Sequence, residues 1–455
     1  MMDLAFFARA SGGILAGNNC AISSVSTDSR HIAPGALFVA IKGDTYDGHD
    51  FVEQAFRAGA AAALVATERA QGLPIPRVVV ADPLRALAQC AAIWREPFEL
   101  PLFGITGSNG KTTVKEMLAA ICRVAAGSSE AVLATEGNFN NHIGLPLTLL
   151  RLNEAQRFAI IEMGMNHPGE IAQLTRLAAP TVALINNAQR AHLAGLESLE
   201  AVARAKGEIF EGLGPQGVGV INDDDAFAGL WRDLLGKRRS LGFGLRQGAE
   251  VRGECQATAC GSRVSLFTPV GRAQAELRVP GEHNVRNALA ATACALAADI
   301  VLDDVVRGLE RFSGVPGRLQ DLAGPQGARL INDCYNANPD SVAAAMDVLA
   351  ACPGKRILVL GDMGELGAAA DALHEDALRR AQALGIERIY VLGEAMSRAF
   401  VKSGAAVVAH PSAEVLAAAV RGECDAYTTI LVKGSRFMKM ERVVALLAGR
   451  PMEEH

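Results

Sequence analysis

Aromatic side chains are scarce, at 5% of 455 residues, while Gly alone contributes 46. With Ala also abundant, this composition disfavours an all-β sandwich and favours helices packed closely on parallel strands. An excess of one charge is missing too. The formal net charge is −5, which argues against a dedicated nucleic-acid binder with its basic surplus but leaves room for a local basic cleft for phosphates. The longest unbroken apolar run, "AGAAAALVA", is far short of the ~20 residues of a membrane span. The N-terminal "MMDLAFFARASGG" makes a poor signal peptide, because Asp3 stands where basic residues belong and Arg9 interrupts the apolar run. The nine cysteines are scattered from Cys20 to Cys424. The closest pair, Cys255 and Cys260, lacks the two-residue spacing of a redox or zinc motif. Free thiols in a reducing, cytoplasmic and soluble setting are expected.

The length corresponds to about three domains of ~150 residues. Over the first 97 residues, strand-like pieces ("GALFVAIKG", "AALVATE", "RVVVAD") alternate with helix-like ones ("DFVEQAFRAGA", "PLRALAQCAAIWRE"). "EPFELP" then reads as a linker, since Pro97 and Pro101 break a continuing helix. From 98 to 313 the rhythm is strand, loop, helix. "LPLFGIT", "RFAIIEMG", "TVALINN" and "GVGVIND" are buried-strand candidates, with "GEIAQLTRLAA" and "SLEAVARAKGEIFEGL" as helices between them. That alternation predicts βαβ units and a mainly parallel sheet. A patch of shorter strands is expected in "AEVRGECQATACGSRVSLFTP" and onward, then a buried helix over "HNVRNALAATACALAADI". "GVPGRLQ" marks a second boundary. From 314 to 455 the rhythm restarts with strands "RLINDCYN", "RILVLGD", "RIYVLG", "AVVAH" and "TTILVKGS", a Rossmann-like pattern without a G-x-G-x-x-G fingerprint. The expected fold is therefore α/β in three domains: a small N-terminal one, a central P-loop ATPase one and a C-terminal Rossmann-like one.

Chemistry concentrates in "GITGSNGKTT". In the loop Gly107-Ser108-Asn109-Gly110-Lys111-Thr112-Thr113, glycines let backbone N–H groups turn toward phosphate oxygens and the following helix presents its positive end. Lys111 can neutralise β/γ charge and the Thr112 hydroxyl can ligate Mg²⁺. The match is to a short G-x-x-G-K-T form, because Ile105 stands where the strict pattern has its first glycine. ATP binding leaves two classes open: phosphoryl transfer to a bound acceptor, and a switch or motor. The latter wants a strand ending in Asp, whereas "FAIIEMG" ends in Glu162. Glu162, His192 and Lys206 all fall at or after strand ends, which gather around the phosphate loop in a parallel sheet. Each also has a plain alternative: a surface charge, a structural histidine, a solvated helix face. Lys206 is unusual in sitting between Ala205 and Gly207 before an apolar turn, as a partly enclosed amine would.

In order and spacing, "GITGSNGKTT", "EMGMNH", "NNAQRAHL", "AKGEIF", "GEHNVRNALAA", "GRLQ" and "INDCYNANPDSVAAAM" resemble the Mur ligases, ATP-dependent amino-acid-adding enzymes of peptidoglycan synthesis. "DCYNANPDS", "VLGDMGELG" and "LVKGSRFMKME" resemble the branch that joins D-alanyl-D-alanine to UDP-N-acetylmuramoyl-tripeptide through an acyl phosphate. A "DNPR" motif, typical of the branch that adds the third residue, is absent. Folylpolyglutamate synthase shares fold and phosphate loop and is the runner-up, although "CYNANP" is not expected there.

The resemblance implies that the first domain binds the UDP part, the second hydrolyses ATP and the third delivers the amine. It implies that Thr112 and Glu162 help hold one Mg²⁺, that His192 serves a second, and that Lys206 is carbamylated by CO₂. Asn284 and Asn287, three apart on one helix face, would read adenine. The plainer possibility for Asn284 is a helix start. Arg318 would reach phosphate when domains close, and Asp333 would contact ribose or phosphate. Ser29, Arg30 and His49 resemble UDP contacts. Asn138, Asn140 and Asn141 are placed against sugar and peptide, although a loop also uses asparagines merely for turns. Asn336, Asn338, Lys433 and Arg436 would hold the dipeptide. His142 departs from the pattern, standing where an acidic residue is expected in some relatives. A monomer is expected, with no nucleic-acid or membrane partner.

Overall fold

The computed structural model describes residues 2–191, 193–196, 198–258, 261–403 and 407–450. Three sheets follow one another along the chain, of five, nine and six strands, and each carries its own helices. Among the described residues no helix is long and apolar enough to cross a membrane, and every cysteine is a free thiol.

The first sheet runs in the order Ile14–Ala16, Arg77–Val80, Ala62–Ala66, Leu37–Val39, Val25–Ser26. The two edge strands are only three and two residues long, too short for any periodicity to announce them. The apolar run at 58–66 supplies Ala62–Ala66, buried along its whole length. Leu4–Ser11 is a helix capped by the Asp3 carboxylate and closed by Gly12 in the left-handed region. "EPFELP" is not a free linker. The buried Arg95 guanidinium donates to the carbonyls of Phe98 and Ala178, and the Trp94 indole donates to Leu152 O at 2.9 Å. One apolar cluster runs from Leu4 and Leu37 through Leu145 to Trp231. The first and central domains thus share a core.

In the central sheet, Leu102–Thr106 lies between Phe158–Glu162 and Val182–Ile185, all parallel. The strands expected to be short are its longest. Val251–Thr258 and Gly261–Thr268 have eight residues each and pair antiparallel, with Gly271–Leu277 beyond them. An antiparallel hairpin needs no crossover helix, so it can run out past the layer that covers the parallel strands. Residues 254–258 are accordingly exposed.

The third sheet orders as Gln320–Ala323, Arg329–Asp333, Thr428–Lys433, Lys355–Gly361, Arg388–Leu392, Val407–His410. Its five expected strands are parallel. An unforeseen antiparallel edge, Gln320–Ala323, precedes them. Its buried apolar clusters contain no residue before Leu319, so this domain shares no apolar cluster with the central one.

Candidate active site

Parallel strands point their carboxyl ends the same way. Thr106, Glu162, Ile185 and Asn222 end neighbouring central strands, and the loops after them line a cavity of about 950 Å³ shared with the third domain. The phosphate loop leaves Thr106 and enters the helix Lys111–Ala126 through Gly110, whose φ is 80°. It is braced by the loop after Ile185. Ser108 N donates to Asn187 O, and the Ser108 hydroxyl donates to Gln189 O while accepting from Gln189 N. The Lys111 ammonium donates to Gly107 O at 2.7 Å, and burial lowers its pKa.

The Thr112 hydroxyl donates to Glu162 Oε2 at 3.0 Å, and Asn140 Nδ2 donates to Glu162 Oε1 at 2.8 Å. Arg318, from the third domain, donates to Thr112 Oγ1 at 2.9 Å while its guanidinium carbon lies 4.1 Å from the centre of the Tyr335 ring. The neighbouring Leu319 N donates to Asp333 Oδ1, which fixes where Arg318 projects. Sheet register places Asp333 opposite Lys433, and Lys433 Nζ donates to Asp333 Oδ2 at 2.6 Å. Asn109 and Asn338 exchange amide hydrogen bonds, and Arg190 grips Asp340 through its backbone N and its guanidinium. Among the described residues, these three polar pairs tie the third domain to the phosphate loop, the start of its helix and the loop that braces it.

Asn284 and Asn287 are buried on one face of the helix Glu282–Ala297. The helix begins before Asn284 and has Gly281 as its cap. Asn284 Nδ2 instead donates to Pro280 O, and Asn287 Oδ1 accepts from Asn186. His283 shares the cavity wall, and burial holds it down to about 4, hence neutral near pH 7. Asn138, Asn140, Asn141 and His142 also line the cavity. Asn141 Oδ1 also accepts the N–H groups of Ile143 and Gly144 at the start of a short helix, the turn role its composition allowed.

Lys206 is 1% exposed near the end of the helix Leu199–Gly207. Burial pulls its pKa well below the usual lysine value, and the Lys111 charge adds to that. Among the described residues no hydrogen bond or ion pair to its amine is found. His192 lies outside the described residues. Of the dipeptide candidates, Asn338 caps the helix Pro339–Ala350 besides meeting Asn109, and Lys433 is held by Asp333. Asn336 is exposed. Arg436 is 56% exposed, with one long contact to Glu441 at 3.4 Å. Lys433, Asn336, Asn338 and Arg436 all line the cavity.

The structure does not bring Ser29, Arg30 or His49 to that cavity. Arg30 forks onto Asp28 at the surface, and this holds the Asp28 carboxyl below the usual range. His49 has both nitrogens committed. Nε2 accepts Ala66 N–H at 2.9 Å, so Nδ1 carries the proton and faces Asp47 Oδ1 at 2.6 Å. That is a structural histidine.

Sequence reasoning missed His283, Tyr335 and the Arg190–Asp340 pair. The first two lie within quoted motifs, beside residues that were singled out.

Comparison with known proteins covers most of the chain. Residues 21–95 match the model of the Mur ligase family catalytic domain, 105–295 the Mur ligase middle domain, and 317–436 the Mur ligase glutamate ligase domain. The UDP-N-acetylmuramoyl-tripeptide–D-alanyl-D-alanine ligase of Escherichia coli is 40% identical over 96% of both chains. Among solved structures, MurF from Acinetobacter baumannii superposes with a TM-score of 0.90, at 35% identity over 98% of each chain. MurF ligase from Thermotoga maritima in complex with ADP gives 0.81, at 25% identity over 94% of this chain and 97% of that one. With all three domain models matched in turn and this likeness running from end to end, the chain belongs to the Mur ligase family.

Proposed function

We propose that this chain is the ATP-dependent ligase that joins D-alanyl-D-alanine to UDP-N-acetylmuramoyl-tripeptide, completing the UDP-MurNAc-pentapeptide used for peptidoglycan. The full-length likeness to ligases of that name carries the reading, and it ranks above a folylpolyglutamate-synthase-like activity for the same reason. On this reading residues 1–97 receive the UDP moiety, 98–313 handle ATP and 314–455 bring the dipeptide. The protein works as a monomer in the cytoplasm.

A carboxylate is a poor electrophile, being anionic with oxide as its leaving group. Transfer of the ATP γ-phosphoryl breaks the Pβ–O–Pγ bridge, forms a C–O–P bond and releases ADP. The dipeptide amine then attacks the activated carbonyl, loses a proton, and phosphate departs. The first step brings two anions together, so cationic groups must offset their repulsion. Lys111 stands at the phosphate loop and Arg318 over Thr112. Asn284 and Asn287 would read adenine, and closure over Asp333 and Arg318 would keep water from the acyl phosphate.

The donors present fit Mg²⁺. The Thr112 hydroxyl and Glu162 carboxylate are hard oxygens, adjacent and buried beside the phosphate loop, as that ion prefers. These two would hold it, His192 would serve a second ion, and the metal would supply charge neutralisation. The enclosed Lys206 amine fits carbamylation by CO₂, since burial favours the unprotonated form that adds CO₂ and yields an anionic oxygen ligand.

On the acceptor side, Asn138, Asn140 and Asn141 would meet sugar and peptide. Ser29 and Arg30 are offered to UDP from the surface, His49 through the fold it supports. Lys433 is committed to Asp333, which leaves Arg436, with Asn336 and the capping Asn338 beside it, for the dipeptide carboxylate. Arg436→Ala is expected to raise KM for D-Ala-D-Ala about tenfold or more, as loss of a charge-assisted bond does, with little change in KM for ATP. Steady-state kinetics with each substrate varied checks this, and equal effects on both would remove the role.

The function itself is tested by phosphate release from Mg-ATP, omitting one substrate at a time. Release that needs both UDP-MurNAc-tripeptide and D-Ala-D-Ala, with a pentapeptide product by mass, is expected. Steady release with neither would point instead to a switch or motor.

A further inference from the structure

Among the described residues, Lys115 is the most deeply buried charge that the proposed chemistry leaves unused. It lies on the helix Lys111–Ala126, three residues after Thr112 and so on the same face. Its side chain is 2% exposed. An ammonium in such a place is costly to desolvate, whereas a methionine would fill similar space without that cost. The partners that hold it are few. Nζ donates to the Thr135 carbonyl at 2.5 Å and meets Glu116 Oε1 at 2.9 Å.

Thr135 explains the placement. It directly follows the strand Val132–Ala134 and opens the loop that carries Asn140. Its own N–H donates to Ile160 O, and its Oγ1 accepts the Glu162 N–H at 3.0 Å. Thr135 and Glu162 are both buried. The loop that Lys115 anchors at Thr135 therefore touches Glu162 twice, through the Thr135 hydroxyl at its backbone and through Asn140 Nδ2 at its carboxylate. The other carboxylate oxygen meets Thr112, on the helix that bears Lys115. Helix, loop and strand form a closed frame around one carboxylate.

We infer that Lys115 is a positioning residue for the nucleotide-bound metal: by pinning Thr135 it orients the Glu162 carboxylate against the Thr112 hydroxyl. This rests on the reading that Thr112 and Glu162 serve Mg²⁺ with the nucleotide. Contacts that orient a metal ligand commonly govern metal affinity by 10- to 100-fold.

The test is binding rather than turnover. The full chain and its Lys115→Met variant are titrated by calorimetry with the β,γ-methylene analogue of ATP, once with Mg²⁺ and once in EDTA. The expected result is an EDTA affinity within about twofold of the parent chain, with the gain on adding Mg²⁺ cut about tenfold. A merely loosened phosphate loop would weaken both titrations alike, and that result overturns the inference, as does an unchanged Mg²⁺ gain in Lys115→Met or no gain in the parent chain. If Lys115→Met does not fold, Thr135→Val removes only the hydroxyl on Glu162 N and should lose the same gain, while Thr135→Ser should keep it. A Thr135→Val chain with the parent Mg²⁺ gain overturns the inference equally. Failure of the ligase reading would show in the phosphate-release experiment and leave these titrations standing.

Discussion

Replacing Lys206 with alanine or methionine should lower ligase turnover by about 10²- to 10³-fold, the usual loss when one preorganised electrostatic group is removed. The methionine variant should at the same time melt higher than the parent. Both effects come from one fact: the amine is buried without an acidic partner among the described residues, and burial pulls its pKa down. In the unfolded chain lysine titrates near ~10.4. As pH falls below that value the unfolded chain takes up a proton that the folded chain refuses, so the parent loses stability. The loss grows by up to about 1.4 kcal/mol per pH unit and levels off once pH passes below the depressed folded value. Methionine has no such slope. Melting both proteins in CO₂-free buffer from about pH 10 downward should show the gap widening as pH falls. A gap that does not change with pH would mean that the amine is not desolvated. In the alanine variant, chloride or short-chain acids under high bicarbonate should restore part of the turnover, because they return an anion to the place of the proposed carbamate. Full activity in that variant would remove Lys206 from the chemistry altogether.

Legibility in the sequence followed the distance over which each feature is determined. The phosphate loop is local: glycines, a lysine and a threonine between an apolar strand and a helix. Glu162 was reachable one step further, because parallel strands bring their carboxyl ends together. The contacts that close the cavity were out of reach. Arg190 and Asp340 are 150 residues apart, and Asn109 and Asn338 are 229 apart. No spacing rule links such pairs; they exist because two sheets face each other. The Asp333–Lys433 pair, 100 residues apart, depended on a sheet register that strand composition does not set. Lys115 was hidden for the opposite reason. "VKEM" reads as an ordinary helix turn, and only the packing of that helix on Thr135 turns its lysine inward. Asn141 illustrates the plain alternative of a turn asparagine, and His49, read only as a UDP contact, is likewise occupied by its own neighbours in the fold.

Gly110→Ala should weaken ATP binding by about 10² or more while leaving the fold intact. At φ 80° the residue lies in the left-handed region, which costs an alanine roughly 1–2 kcal/mol. The new Cβ would also fall 2.4 Å from Asn287 Oδ1 and 2.6 Å from Asn186 Nδ2. Those tips cannot swing away cheaply. They are buried and bonded to each other at 3.0 Å, and Asn186 also holds Asn109 O at 2.9 Å. Separating them breaks two hydrogen bonds, worth about 1 kcal/mol each. The variant relaxes by leaving the left-handed conformation, and binding must then restore it. The combined 3–4 kcal/mol is roughly a hundredfold to a thousandfold in affinity. Gly127, which closes the same helix at φ 71°, has nothing within 4 Å of its Cβ position. Gly127→Ala therefore carries the strain without the collision, at a site remote from phosphate, and should lower the melting temperature slightly and leave ATP affinity alone. Calorimetric titration of both variants separates the two effects. A Gly110→Ala chain that binds ATP within a few-fold of the parent would mean that the loop does not hold phosphate in this conformation.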